Sequence, residues 1–309
     1  MNRKQFLRTT AMAAGSVWLS RYNAWAAETA PVQKLTILHT NDVHSRLMPF
    51  PMDGSRNQGL GGVAARSALV KKIRQEEEQV LLLDAGDIFQ GTPYFNLYKG
   101  EPEIKAMSMM GYDACTMGNH DFDAGMENFA TQMKKAGFPF LICNYGVANT
   151  PLEYGCMPWK TFRKGKLKIG ITGVGIELNG LVPDNLYGQT LYHEPVQKLN
   201  ETAELLRNRE GCDMVICLSH LGYSYRDNKV SDKVLAAESE HVDLIIGGHS
   251  HTFMDKPEII RNKKGSDVVV NQVGWAGIQL GRLDFEFSGR KKKNLAASRS
   301  IAIREKTGE

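Results

Sequence analysis

Five short apolar runs in this 309-residue chain each end in aspartate, asparagine or histidine, most of them beside glycine. Leu35 to Leu38 leads into His39-Thr40-Asn41-Asp42-Val43-His44, and Val80 to Leu83 leads into Asp84-Ala85-Gly86-Asp87. Ala114 to Met117 is followed by Gly118-Asn119-His120-Asp121-Phe122-Asp123, Met214 to Leu218 by Ser219-His220, and Val242 to Ile246 by Gly247-Gly248-His249-Ser250-His251. Imidazole, carboxylate and amide oxygen make a borderline-to-hard ligand set, suited to zinc, manganese, cobalt or iron rather than calcium. Asp42 and His44 are two apart, as are His249 and His251, and in extended backbone such residues point to one side, so each pair is expected to address one centre. Asp42, His44, Asp87, Asn119, His220, His249 and His251 are too many donors for one tetrahedral ion. Two ions sharing a bridging carboxylate account for them, an arrangement that clamps the attacking and leaving oxygens of a displacement at phosphorus. His39, His193 and His241 read as structural, and Asp84 as a turn cap.

For five segments to converge, the elements must deliver them to one place. Further apolar runs lie at Phe140 to Ile142, Leu167 to Val174, Val268 to Val273 and Leu283 to Phe287. Between the runs, Val63 to Gln79, Met126 to Ala136 and Val196 to Arg209 have helical spacing. Buried strands alternating with helices predict an α/β architecture, and so many strands call for two sheets packed between helix layers. Ligands of open α/β sheets collect at the carboxyl ends of the strands, where all five motifs fall. Gly289-Arg290-Lys291-Lys292-Lys293 reads as an exposed turn between two closing strands.

Composition excludes other classes. With 42% hydrophobic and 23% charged residues the chain is neither disordered nor fibrous. A net charge of +4 at first permits a nucleic-acid or membrane-surface binder. Residues 1–26, however, hold Arg3, Lys4, Arg8 and Arg21 and no acid, so all of that excess sits there. This stretch has a basic start, the modest apolar run Ala11 to Leu19 and the cleavage pattern Ala24-Trp25-Ala26, and so reads as a removable signal peptide for export to the periplasm or outside. Arg3-Lys4-Gln5-Phe6-Leu7-Arg8 resembles a twin-arginine signal with lysine in the second arginine place. The remainder, 27–309, is formally neutral, shows no basic face interleaved with aromatics, and contains no run of about 18 apolar residues that could span a bilayer. Cys115, Cys143, Cys156, Cys212 and Cys217 are odd in number and lack a C-x-x-C pair, so they form neither a disulfide framework nor a zinc ribbon. Cys115, Cys143 and Cys217 are expected buried, and a Cys143–Cys156 bridge is not fixed by spacing.

Asp42-x-His44, Gly86-Asp87, Gly118-Asn119-His120-Asp121, His220 and Gly248-His249-x-His251, in that order, resemble the calcineurin-like metallophosphoesterase superfamily. Ile37-Leu38-His39-Thr40-Asn41-Asp42, Leu82-Leu83-Asp84-Ala85-Gly86-Asp87 and Gln90-Gly91-Thr92 are similar to the catalytic domain of 5′-nucleotidases, from about Leu35 to Phe287. The resemblance implies a single-domain, four-layer α/β/β/α sandwich holding two divalent ions. It would place Asp42, His44 and His251 on one ion, Asn119, His220 and His249 on the other, and Asp87 between them. His120 would be the catalytic histidine, Asp123 its orienting carboxylate, and a metal-bound hydroxide the nucleophile toward a nucleoside monophosphate.

Two features depart from the family. Many 5′-nucleotidases carry an amide where this chain has His251, and full-length members add a C-terminal domain that grips the nucleoside. Such recognition is therefore expected from a separately encoded subunit, with Tyr94, Phe95, Tyr223 and Tyr225 as packing or rim residues. Alternatives are a 2′,3′-cyclic-nucleotide phosphodiesterase or nucleotide-sugar hydrolase on the same scaffold, or a metal-binding partner subunit of a split nucleotidase without turnover of its own.

Overall fold

In the computed structural model, residues 32–227, 229–288 and 292–304 are described. The signal-peptide stretch and the tip of the basic turn, residues 289–291, lie outside them. Strand β1 (Gln33–Thr40) shows how the fold is laid down. Leu35 and Ile37 pack into one apolar cluster and Leu38 into another on the opposite face, the period-2 alternation of a strand buried on both sides. In β2 (Val80–Asp84), Leu81 and Leu83 join the first cluster while Val80 and Leu82 join the second.

The first sheet continues in parallel through β3 (Ala114–Cys115), β4 (Phe140–Leu141) and β6 (Cys156–Met157). Its other edge closes with the antiparallel pair β14 (Gln279–Ser288) and β15 (Lys292–Ala302). In the second sheet, β8 (Leu167–Gly175), β10 (Met214–His220), β11 (Leu244–Gly247) and β13 (Asp267–Asn271) run parallel. Antiparallel edges β7 (Trp159–Lys164) and β12 (Glu258–Arg261) flank them. A separate short pair joins β5 (Tyr145–Gly146) to β9 (Leu191–Tyr192).

The apolar clusters define the layering. Leu35, Ile37, Leu81 and Leu83 of the first sheet meet Ile169, Ile171, Met214, Ile216, Leu244 and Ile246 of the second, so the two sheets face each other. Beyond the first sheet lie α1 (Val63–Glu76), α2 (Pro93–Tyr98), α3 (Glu101–Met110) and α4 (Met126–Lys135), through Val70, Phe95, Met107 and Phe129. Val215, Cys217 and Ile245 on the far side of the second sheet pack with Leu199 and Leu235. Those two come from α6 (Pro195–Glu204) and α7 (Asp232–Glu238), while the short α5 (Asp184–Tyr187) buries no residue. This packing is the mixed α/β architecture with two sheets that the apolar runs predict.

Several expectations need correction. The Val196–Arg209 helix changes to π geometry over Leu205–Arg209. β5, β6, β7, β9, β12 and β15 were not legible as apolar runs, because some are only two residues long and edge strands such as Glu258–Arg261 alternate polar with apolar residues. Lys293, read as part of a solvated turn, lies in β15 and pairs with Asp243 at 2.7 Å. All five cysteines are free, and Cys143, expected buried, is only partly so. No helix among the described residues is long and apolar enough to cross a membrane.

Candidate metal centre

The loops after β1, β2, β3, β10 and β11 meet at the carboxyl ends of the parallel strands. They are stitched by backbone hydrogen bonds: Asp42 N donates to Gly86 O (2.9 Å), His44 N to Asp87 O (3.0 Å) and Ala276 N to Asp42 O (2.7 Å). His249 N donates to both Asp42 carboxylate oxygens at 3.0 Å, and His120 N to Asp87 Oδ1 at 2.8 Å. Gly118 is required here, since a Cβ on it would lie 2.0 Å from Asp87 Oδ1.

Among the described residues, two groups of three have ligand atoms within 4.8 Å of one another: Asp42, His44 and His251, and Asp87, His220 and His249. In the first, His44 Nε2 and His251 Nε2 are 2.9 Å apart, with Asp42 Oδ1 3.4 Å from His251 Nε2. In the second, His220 Nε2 stands 3.1 Å from Asp87 Oδ2, and His249 Nδ1 is 2.8 Å from Asn119 Oδ1. Asp87 Oδ2 is also 3.7 Å from His44 Nε2, so this carboxylate faces both groups.

The backbone differs from the expectation. Asp42, His44, Asp87, His249 and His251 all have positive φ, between 50° and 71°, so the two-apart pairs are not in extended chain. Asp42 and His44 share a group, but His249 and His251 are divided between the two. A left-handed turn costs a non-glycine residue of order 1–3 kcal/mol. Five of them in one site mean that the fold holds these donors against local preference.

The donor set fits divalent cations by its tautomers. His220 Nδ1 faces Ala85 O at 2.7 Å, and a carbonyl can only accept, so Nδ1 carries the proton. Nε2 of the neutral ring then aims a lone pair at the Asp87 carboxylate, and it has no hydrogen-bond partner although fully buried. Without a cation between them the ring must protonate: burial alone would lower its pKa, but Asp87 and Asp42 raise it to about 10. Burial would likewise raise Asp87, yet His220, His44 and His120 hold it far below the carboxylate range. His249 is lowered to about 4, chiefly by burial and then by His220.

His120 stands on the 3-10 turn Asn119–Phe122, in neither group, with Nδ1 2.9 Å from Asp123 Oδ2. That hydrogen bond raises its pKa above 6.5 against the effect of burial. A cavity of about 210 Å³ is lined by His44, Arg46, Gln90, His120, His251 and Trp275.

His39 and Asp84, set aside in the sequence, serve the fold. His39 is buried between the sheets, Nε2 2.9 Å from Asn271 Nδ2, and burial lowers its pKa to about 3. Asp84 accepts from Gly86 N at 2.9 Å as a turn cap. Phe95 is core, while Tyr223 and Tyr225 donate to Glu258 and to Leu221 O.

Four supporting residues escaped sequence reasoning. Asn41 Nδ2 donates to Asp42 Oδ2 (2.6 Å), fixing that carboxylate. Asp121, buried, accepts from four backbone amides: Gly118 N, Asp87 N, Ile88 N and Phe89 N, at 2.8 to 3.1 Å. It thereby ties the loop of Asp87 to that of Asn119. Asp121→Asn turns one acceptor oxygen into a donor facing donors, so unfolding stability should fall by about 2–4 kcal/mol in denaturant titration.

Gln272 donates to Asp232 Oδ2 (2.9 Å) and Gly248 O (2.8 Å) and accepts from Thr252 N (3.1 Å), bracketing the loop that carries His249 and His251. Asp232 also accepts from Ser219 Oγ at 2.6 Å. Burial pushes Asp232 from 3.8 up to about 7 against those hydrogen bonds. Between these values only the unfolded chain releases the proton, so this residue's contribution to stability falls as pH rises from about 4 to 7. Asp232→Asn can donate to Ser219 and accept from Gln272. Thermal unfolding of chelator-treated protein should show the variant gaining on wild type between pH 4 and 8, by at most ~4 kcal/mol.

The chain matches the calcineurin-like phosphoesterase family over residues 35–253. It belongs to that family. It is 30% identical to a snake venom 5′-nucleotidase of Gloydius brevicauda over 96% of this chain and 52% of that protein. The crystal structure of a 5′-nucleotidase precursor from Thermus thermophilus superposes with a TM-score of 0.79 at 30% identity, covering 88% of this chain and 55% of that one. The NAD nucleotidase of Haemophilus influenzae gives a TM-score of 0.78 at 26% identity, over 88% and 51%. The chain thus spans about half the length of the curated relatives it matches.

Proposed function

We propose that this calcineurin-like phosphoesterase is an exported metal-dependent hydrolase of nucleotide phosphate esters, nucleoside monophosphates foremost. The observation that carries the reading is the meeting of two three-residue groups able to ligate metal around Asp87 with the His120–Asp123 pair, beside a cavity that His44, His120 and His251 line. In this reading Asp42, His44 and His251 hold one divalent ion, and Asn119, His220 and His249 the other. Asp87 serves both, and zinc, manganese, cobalt or iron suit the set. Two such ions, when bound, supply Lewis acidity to the phosphoryl oxygens and lower the pKa of water.

The chain's own residues do the rest. Protonated His120 hydrogen-bonds the ester oxygen and gives its proton to the departing alkoxide. Asp123 holds the ring by Nδ1, so Nε2 is the nitrogen turned to the reaction. The loops tied through Asp121 and Gln272 keep the donors in register when substrate arrives and leaves.

Export by residues 1–26, and a separate recognition subunit gripping the nucleoside, complete the proposal. The test is purified protein loaded with manganese, zinc or cobalt and assayed for phosphate release from AMP, 2′,3′-cyclic AMP, NAD and UDP-glucose. AMP should be turned over fastest. No release from any of them, with or without a recognition subunit, would refute the hydrolase reading.

A further inference from the structure

Arg46 sits half-buried in the wall of the cavity it shares with His44, His120 and His251. Its guanidinium makes no hydrogen bond and has no carboxylate within 4.0 Å among the described residues, and its Nε is buried without a partner. Contrast Arg282, which reaches Asp284 and Glu77, and Arg207, which reaches Asp243. A guanidinium offers five N–H donors and is costly to desolvate unpaired, so an arginine kept this way beside a reactive centre is a receptor for an anion.

The side chain is also held in place. The guanidinium lies over the Phe50 ring at 4.2 Å. Phe50 meets Trp275 edge-on at 5.9 Å, and Trp275 stacks on His251 at 5.8 Å with the planes 6° apart. An unbroken wall thus runs from the arginine to an imidazole of the first metal-ligating group. Backbone bonds from Phe50 N to Leu60 O and from Ala276 N to Asp42 O anchor its two loops. The cavity is smaller than the 300–1,000 Å³ usual for whole-ligand sites, enough for a phosphoryl group and its nearest atoms but not for a nucleoside.

We infer that Arg46 is the specificity residue for a terminal phosphoryl group: it reads the second negative charge, which a phosphate monoester has and a diester lacks. This rests on the hydrolase reading above and deepens it, because selection by the phosphate end then belongs to this chain alone. Phe50 and Trp275 act as positioning residues for the guanidinium.

The experiment compares wild type, Arg46→Gln and Arg46→Lys, each manganese-loaded, on p-nitrophenyl phosphate and bis(p-nitrophenyl) phosphate. Arg46→Gln should lose about thirtyfold in kcat/KM on the monoester, mostly in KM, and less than threefold on the diester, with Arg46→Lys recovering part of the loss. Binding of inorganic phosphate, measured by calorimetry, should weaken about tenfold or more in Arg46→Gln while metal content and unfolding midpoint stay at wild-type values. Equal losses on both esters, or unchanged phosphate affinity, would overturn the assignment. If wild type cleaves neither ester, the calorimetric comparison alone decides whether Arg46 binds phosphate, and the hydrolase reading stands or falls separately on the nucleotide panel.

Discussion

His120→Ala will cut phosphate release from AMP by about 10²–10⁴-fold and leave the metal content of the purified protein unchanged. The side chain belongs to neither metal-ligating group, so its removal takes no donor away. The backbone N–H that His120 gives to Asp87 Oδ1 survives the substitution, so the central carboxylate keeps its orientation. What disappears is an imidazole facing the cavity, held by Asp123 at 2.9 Å and biased toward its charged form. Without it the alkoxide must leave unprotonated or wait for water. Asp123→Asn should cost less, since the ring remains and only its tautomer and charge lose support. Turnover and metal stoichiometry measured on the same preparation decide the matter. Activity within threefold of wild type would remove His120 from the reaction, and wild-type protein without turnover would favour a metal-binding subunit.

How far this could be foreseen depended on how each feature is encoded. The strand ends were legible because β1, β2, β10 and β11 are buried on both faces, giving unbroken apolar runs that stop abruptly at Asp, Asn or His. The two sheets followed from the number of such runs. The edge strands did not, since Trp159–Lys164 and Glu258–Arg261 have one wet face and mixed composition. All seven expected metal donors arrived at one place, yet not by way of extended backbone. The left-handed turns at His249 and His251 send neighbouring side chains to different groups, and φ sign is not written in residue spacing. Nor are long-range tethers. Gln272 holds Gly248 from a different strand, and Asp121 collects four backbone amides, a role that the amides' own side chains do not advertise. Arg46 carries no sequence signal of its own, because its lack of a carboxylate partner and its Phe50 platform exist only in the folded chain.

Asp87→Asn should have the largest effect of all, because one carboxylate faces both groups. Its Oδ2 is 3.1 Å from His220 Nε2 and 3.7 Å from His44 Nε2, while Oδ1 accepts from His120 N. The amide has the same shape, and its oxygen can keep the bond to His120 N. The charge that would balance two cations in the proposed centre is gone, and one end now presents N–H groups to the space between imidazoles. Altering a mere outer partner of a metal ligand commonly costs 10–100-fold in affinity. Loss of a shared carboxylate should cost more, so bound metal should fall from two ions per chain to one or fewer after dialysis. Turnover on AMP should then drop at least 10³-fold, an expectation set by removing both cation clamp and charge balance at once. The metal-free protein should stay folded, because His220 loses the carboxylate that most favours its charged form and can stay neutral in its buried place. Retention of two ions with activity within tenfold of wild type would show that the groups are independent, each completed by residues other than Asp87.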